Sequence, residues 1–154
     1  MGAGQFEAVG VIITRGMTAV LYGELSRARD LAEAVARDRE PELVDLSPHY
    51  CEDWRGLPVN QRVGGHLVST RATPAWMLPA LDGRPKMLFL PDLLAAYQGM
   101  TSTMQSVIRT MLKDRRFPGD DHALPPQTGV LVTMGPDEHL PAGVANACAH
   151  IKLD

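Results

Sequence analysis

Gly23-Glu-Leu-Ser-Arg-Ala-Arg-Asp30 is the stretch that bears most on chemistry. It follows a short apolar run, Met17-Thr-Ala-Val-Leu-Tyr22, and leads into a helical pattern. A turn in that place holds phosphate when it reads G-x-x-x-x-G-K-[ST]. Glycines let the backbone wrap the anion, amides and lysine neutralise it, and the hydroxyl reaches magnesium. Laid over that template, Gly23 keeps the first glycine. Ala28 stands at the second, Arg29 at the lysine and Asp30 at the hydroxyl residue. Glu24 and Asp30 bring negative charge to the same place, and no lysine precedes Lys86. Gly23, Arg27 and Arg29 are the candidate contacts for a nucleotide or phosphate, with Arg29 as the cation at a helix N-terminus and Arg27 assisting. A solvated helix face or a subunit contact is the competing account of the same arginines.

Other chemistry-bearing types are scattered. His49-Tyr-Cys51-Glu-Asp53 and Asp120-Asp-His122 hold ligand types, but their spacings match no structural zinc pattern, so they read as polar loops. No metal and no cofactor is assigned. Cys148 and His150 stand at i and i+2 of a strand in a segment that reads as buried, which argues against a nucleophile–base pair. Cys51 and Cys148 cannot build a disulfide framework and read as free thiols. Asp92, directly after Pro91, fits a helix N-cap better than a metal ligand or catalytic acid. Met100, Met104 and Met111 read as core. Arg115 and Arg116 close a helix, where the dipole favours cations, or face a neighbouring subunit.

The elements that must position these residues follow from periodicity. Residues 5–14 form an apolar run too short to separate helix from strand, broken by Arg15-Gly16. Residues 17–22, 42–46, 86–90, 129–134 and 149–153 read as strands. Residues 27–38 read as a helix with Leu31, Ala34 and Val35 inward, and 101–113 as a helix capped by Thr101 or Ser102, with Met104, Val107, Ile108, Met111 and Leu112 inward. Short helices are expected at 74–81 and 140–148. Residues 47–75 read as a long loop with a hairpin near 61–70, and 117–128 as a turn or hairpin. Strand–helix–strand alternation predicts an α/β fold with a parallel sheet and helices on both faces, as one domain over 1–154.

The order of these elements resembles the core subdomain of the MoxR-type AAA+ ATPases over roughly residues 5–153. Ala19-Val-Leu-Tyr-Gly23 is similar to the strand entering that family's P-loop, Trp54-Arg-Gly-Leu-Pro-Val59 to the loop after its second strand, and Thr73-Pro-Ala-Trp76 to the segment before its third. Met87-Leu-Phe-Leu-Pro-Asp92 stands where the family has a Walker B strand ending in Asp-Glu. Gln105 to Arg116 resembles the helix that follows. Leu124-Pro-Pro-Gln-Thr-Gly-Val-Leu-Val-Thr-Met-Gly-Pro136 is similar to the fourth strand and its sensor loop, and Val144-Ala-Asn-Ala-Cys-Ala-His-Ile151 to the terminal helix and strand.

The resemblance implies a P-loop/AAA+-like sheet. It also shows what is missing. Pro91 stands at the magnesium-binding Asp, with Asp92 alone after it, and Gly135 stands at the sensor asparagine. Asn146-Ala147-Cys148 replaces Asn-Arg-Phe and removes the arginine finger, a group worth 10³–10⁵ in rate for related phosphoryl transfer. No helical lid domain is expected after Asp154. These departures point to a catalytically inactive, pseudo-ATPase domain. Its expected role is structural or regulatory, in an assembly with itself or with an active MoxR-type ATPase. The alternative is a regulatory module that holds a nucleotide or phosphate without hydrolysis.

Composition agrees with a globular chain. It has 154 residues, 45% hydrophobic and 21% charged, and a net charge of −3. A mildly acidic balance excludes a nucleic-acid or anionic-membrane surface as the main expectation. No apolar run approaches the ~20 residues of a membrane helix, and the N-terminal residues lack the pattern of a secretion signal. The expectation is a cytoplasmic protein whose partners are proteins.

Overall fold

The structure is a computed structural model that describes residues 3–39, 41–45, 58–71, 85–91, 102–116, 123–124 and 126–153. In chain order the elements are α1 (Ala3–Thr14), β1 (Thr18–Tyr22), α2 (Leu25–Arg39), β2 (Glu42–Asp45), β3 (Pro58–Val63), β4 (His66–Arg71), β5 (Lys86–Leu90), α3 (Ser102–Lys113), β6 (Thr128–Met134), α4 (Ala142–Ala145) and β7 (Ala149–Lys152). The outer limits of the strand and helix expectations move by only one or two residues, except at α4.

Strands buried on both faces read as unbroken apolar runs, because neither side meets water. Thr18–Tyr22, Lys86–Leu90 and Thr128–Met134 are buried at every position. They form the middle of a five-stranded sheet ordered β2-β5-β6-β1-β7, with every pairing parallel. Side-chain alternation divides the core in two. Ala19, Leu21, Met87, Phe89 and Leu131 face α1 and α2, packing on Val9, Ile13, Leu31 and Val35. Val20, Tyr22, Leu88, Leu90, Val130, Val132 and Met134 face Ile108, Met111 and Leu112 of α3 and Val144 of α4. Helices therefore cover both faces, and each fully buried Leu, Val or Phe contributes roughly 1.5–3 kcal/mol.

The ambiguous run at the start resolves as a helix. Val9, Gly10 and Ile13 form its buried stripe. Gly16, at φ 69°, ends it. Gly16 N–H donates to the Ile13 carbonyl and Met17 N–H to the Ile12 carbonyl, each at 3.0 Å, which is a Schellman closure. α1 then lies directly on β6 at Gly129. A Cβ at that position would stand 2.7 Å from Ile13 Cγ2 and 2.8 Å from the Ile13 carbonyl oxygen.

The expected hairpin near 61–70 spans 58–71 and forms a separate two-stranded sheet. Gly64 and Gly65, at φ 57° and 82°, supply the two positive values that a type I′ turn requires. Val59, Val63, Leu67 and Val68 remain exposed, Leu67 at 71%. Arg116 pairs with Ala123 in an antiparallel bridge, and residues 117–122 of the turn expected over 117–128 lie outside the described residues. α4 covers only 142–145 of the expected 140–148. Pro141 sits at its N-cap, and Ala147 and Cys148 close a tighter turn onto Val144 and Ala145. The helix expected at 74–81 lies outside the described residues, as do 47–57 and Asp92.

Gly129→Ala is expected to destabilise the fold by about 1–3 kcal/mol, because the new methyl meets helix backbone that cannot swing away. The urea midpoint reads this directly. A midpoint unchanged from the parent would contradict the close α1–β6 contact.

Candidate functional site

In open parallel sheets, ligands sit beyond the carboxyl ends of the strands. Here the ends of β1, β6 and β7 are tied together. Gly23 N–H donates to the Met134 carbonyl at 3.0 Å, and Leu153 N–H donates to the Tyr22 carbonyl at 2.8 Å. Gly23 adopts φ 154°, and a Cβ there would stand 2.9 Å from Leu153 Cβ. α2 begins at Leu25, and Ala28 N–H donates to the Glu24 carbonyl at 3.1 Å.

The connection between β1 and α2 is thus Gly23-Glu24 alone, and the helix expected from residue 27 begins two residues earlier, at Leu25. Arg27, Ala28, Arg29 and Asp30 are helical residues. The earlier start follows from packing, since Ala28 and Leu31 are both buried in the α1/α2 side of the core and draw the first turn onto the sheet.

Gly23, Arg27 and Arg29 are not gathered into one cradle. The Gly23 amide is committed to Met134. Arg27 Nε lies 3.9 Å from Glu24 Oε2, with both side chains largely exposed, so the pair contributes little. The Arg29 guanidinium lies over the Phe89 ring, 5.1 Å from its centroid. That places it against the end of β5 rather than on an open helix face. Two residues apart on a helix differ by about 200°, so the two arginines diverge.

The other sequence candidates separate as well. Gly135 N–H donates to Glu138 Oε2 at 2.8 Å, and Glu138 N–H returns to the Gly135 carbonyl at 3.2 Å. A carboxylate therefore closes the turn after β6. Arg115, at φ 57°, turns inward and donates to the Thr128 carbonyl, so it ties the end of α3 to the start of β6. Burial lowers its pKa. Arg116 stays exposed. Met111 is buried in the core. Met100, His49 to Asp53 and Asp120 to His122 lie outside the described residues. Among the described residues, no three His, Cys, Asp or Glu side chains converge on a metal-sized site.

Cys148 precedes β7 instead of lying in it, so the i, i+2 strand geometry with His150 does not arise. Its Sγ faces the Val144 carbonyl at 3.5 Å. Burial pushes the thiol up to about 11, so it is protonated at neutral pH and is no nucleophile there. His150 is engaged elsewhere. Its Nε2 lies 2.8 Å from the Ala145 carbonyl, which only accepts, so Nε2 carries the proton. Nδ1 then accepts from the Tyr22 hydroxyl at 2.6 Å. The two rings stack, with centroids 5.7 Å apart and 25° between planes.

Tyr22 and His150 form one wall of a cavity of about 340 Å³, completed by Pro136, His139, Leu140, Ala145 and Lys152. It lies on the α3/α4 face, opposite α2. The sequence reading missed it because it depends on register. β7 pairs with β1 so that Val20 stands beside His150 and Tyr22 beside Lys152, which puts His150 and Lys152 on Tyr22's face. The alternation of His150 and Lys152 was the one available signal.

No family model matches the chain, and no curated protein matches it. Solved structures do. A DNA polymerase III gamma-subunit-related protein from Thermotoga maritima superposes with a TM-score of 0.55 at 12% identity, over 97% of this chain and 46% of that one. A full-length MCM homologue from Methanopyrus kandleri gives 0.55 at 16% identity, over 96% and 34%. Both are AAA+-type proteins. The likeness shows the fold alone, an α/β, P-loop-like sheet with helices. The chain spans less than half of either structure. No helix among the described residues is long and apolar enough to cross a membrane.

Burial raises the Tyr22 pKa above its ordinary 10.0, with Cys148 adding to the effect, and raises Cys148 from 9.0 to about 11. Both groups keep their protons to higher pH folded than unfolded. The Cys148 contribution to stability is complete below about 9 and is lost as pH rises through about 11, and Tyr22 acts in the same direction. Urea midpoints across that window are expected to fall, and Cys148→Ala is expected to flatten the fall. A parent midpoint that stays level would contradict the burial of both groups.

Proposed function

We propose that this chain is a non-hydrolysing AAA+-like domain of the MoxR kind that serves as a structural or regulatory subunit, assembling with further copies of itself or with an active MoxR-type ATPase. The observation that carries this reading is the two-residue β1–α2 connection. Phosphoryl transfer depends on positioning and charge neutralisation around the phosphates. At Gly23-Glu24 one amide is spent on Met134, a carboxylate heads the helix, and Arg29 is drawn onto Phe89. Pro91 at the magnesium position, the Gly135–Glu138 turn at the sensor position and Asn146-Ala147-Cys148 at the finger support the same reading.

Its positive side rests on surface. The β3–β4 hairpin leaves Val59, Val63, Leu67 and Val68 exposed, and a lone two-stranded hairpin is only marginally stable in water. It carries Arg62, His66 and Arg71 and no acidic residue, whereas the chain as a whole is net −3. That contrast suits contact with the acidic remainder of a second copy.

Purified protein is expected to turn over ATP at less than about 10⁻³ of an ordinary kcat of roughly 10 s⁻¹. Ordinary ATPase turnover that tracks the folded protein would overturn the reading. Light scattering is expected to give a multiple of 16.8 kDa. Val63→Lys with Val68→Lys, both on one face of the hairpin, is expected to shift the mass toward the monomer. A strict monomer at high concentration, alone and with a MoxR-type ATPase, would refute assembly.

A further inference from the structure

We infer that the cavity bounded by Tyr22, Leu140, His150 and Lys152 is a binding site for a small organic acid, a carboxylate on an apolar body. It lies on the far face of the sheet from Arg27 and Arg29, and it does not depend on whether the chain assembles or hydrolyses anything.

Size sets the first bound. About 340 Å³ falls at the small end of the range that ligand sites occupy, enough for a compact ring or short branched chain. Chemistry sets the second. The Tyr22 ring, Pro136, Leu140 and Ala145 supply apolar surface. The polar atoms of the Tyr22–His150 pair are already matched to each other and to the Ala145 carbonyl, so they stiffen the wall and request nothing from a ligand.

Two groups remain. Lys152 and His139 line the cavity, and among the described residues their side chains have no hydrogen-bond or ion-pair partner, the Lys152 carbonyl alone accepting from Gln5 Nε2 at 2.7 Å. Among the described residues no carboxylate lines it. The nearest in sequence, Glu138, is turned away onto the Gly135 amide. In a chain of net charge −3, this apolar hollow is edged by an ammonium and an imidazole. An anion there gains a charge-assisted contact with Lys152, while its body removes apolar surface from water over the stacked rings.

Nitrogen-15 NMR titration of the full chain tests the assignment with three probes: sodium benzoate, neutral benzamide and inorganic phosphate. Benzoate is expected to shift the amides of Tyr22, Leu140, His150 and Lys152 saturably, with Kd on the order of 1 mM. Benzamide is expected to bind about fivefold more weakly, and phosphate to give no saturable shift there, because it lacks the apolar body. Lys152→Met, at an exposed position that leaves the core untouched, is expected to weaken benzoate about fivefold while the remaining spectrum superposes. The inference is overturned if benzoate gives no saturable shift at these residues, if benzamide or phosphate binds as well as benzoate, or if Lys152→Met binds unchanged.

Discussion

The arrangement depends on how the ends of three parallel strands are joined. β1 is buried on both faces between β6 and β7, so its backbone groups have no access to water and must find partners in the ladder. The ladder continues past the strand: Gly23 gives its N–H to Met134 and Tyr22 receives one from Leu153. With Leu153 filling the space beside Gly23, the chain can leave only in one direction. It enters α2 within two residues.

That constraint decides what the carboxyl edge of the sheet offers. A phosphate-holding turn needs several residues whose amides point to a common centre. Here the amide of the one glycine is committed, and the first helical turn is drawn onto the core by Ala28 and Leu31. The same pull carries Arg29 to the Phe89 ring, where stacking on an aromatic face suits a guanidinium that is only partly hydrated. On the opposite face α4 is a single turn, and a hollow lies over Tyr22, His150 and Lys152.

Two glycines show the same economy at the other end of the strands. Gly16 closes α1 in a conformation with φ 69° that side chains rarely adopt, and Gly129 lets the helix backbone rest on β6. Arg115 adds a tie from α3 to the carbonyl of Thr128, a buried acceptor at the strand's first residue. The amino edge is thus held by close backbone contact and the Arg115 side chain, while the carboxyl edge carries the side chains of Lys152 and His139 beside the cavity.

Much of this was legible in the residues themselves. Val20-Leu21, Met87-Leu-Phe-Leu90 and Val130-Leu-Val132 demand burial on both sides, which predicts a parallel core. Gly16 and Gly64-Gly65 mark the helix stop and the hairpin turn. Pro91, Gly135 and Asn146-Ala147-Cys148 are departures from the resembled family's motifs that can be read off the residues alone. Three things required the folded chain. Residues 5–14 are apolar enough for either element, and the structure shows a helix packed through Val9 and Ile13 and seated closely on Gly129. The length of the turn after Gly23 depends on how far α2 is drawn onto the sheet, which no local pattern states. The cavity arises from the register of β7 on β1, residues 128 positions apart in the case of Tyr22 and His150. Composition and local periodicity specify elements because each residue carries its own polarity and backbone preference. A site built between distant strands is specified by their pairing, and that exists only once the sheet has closed.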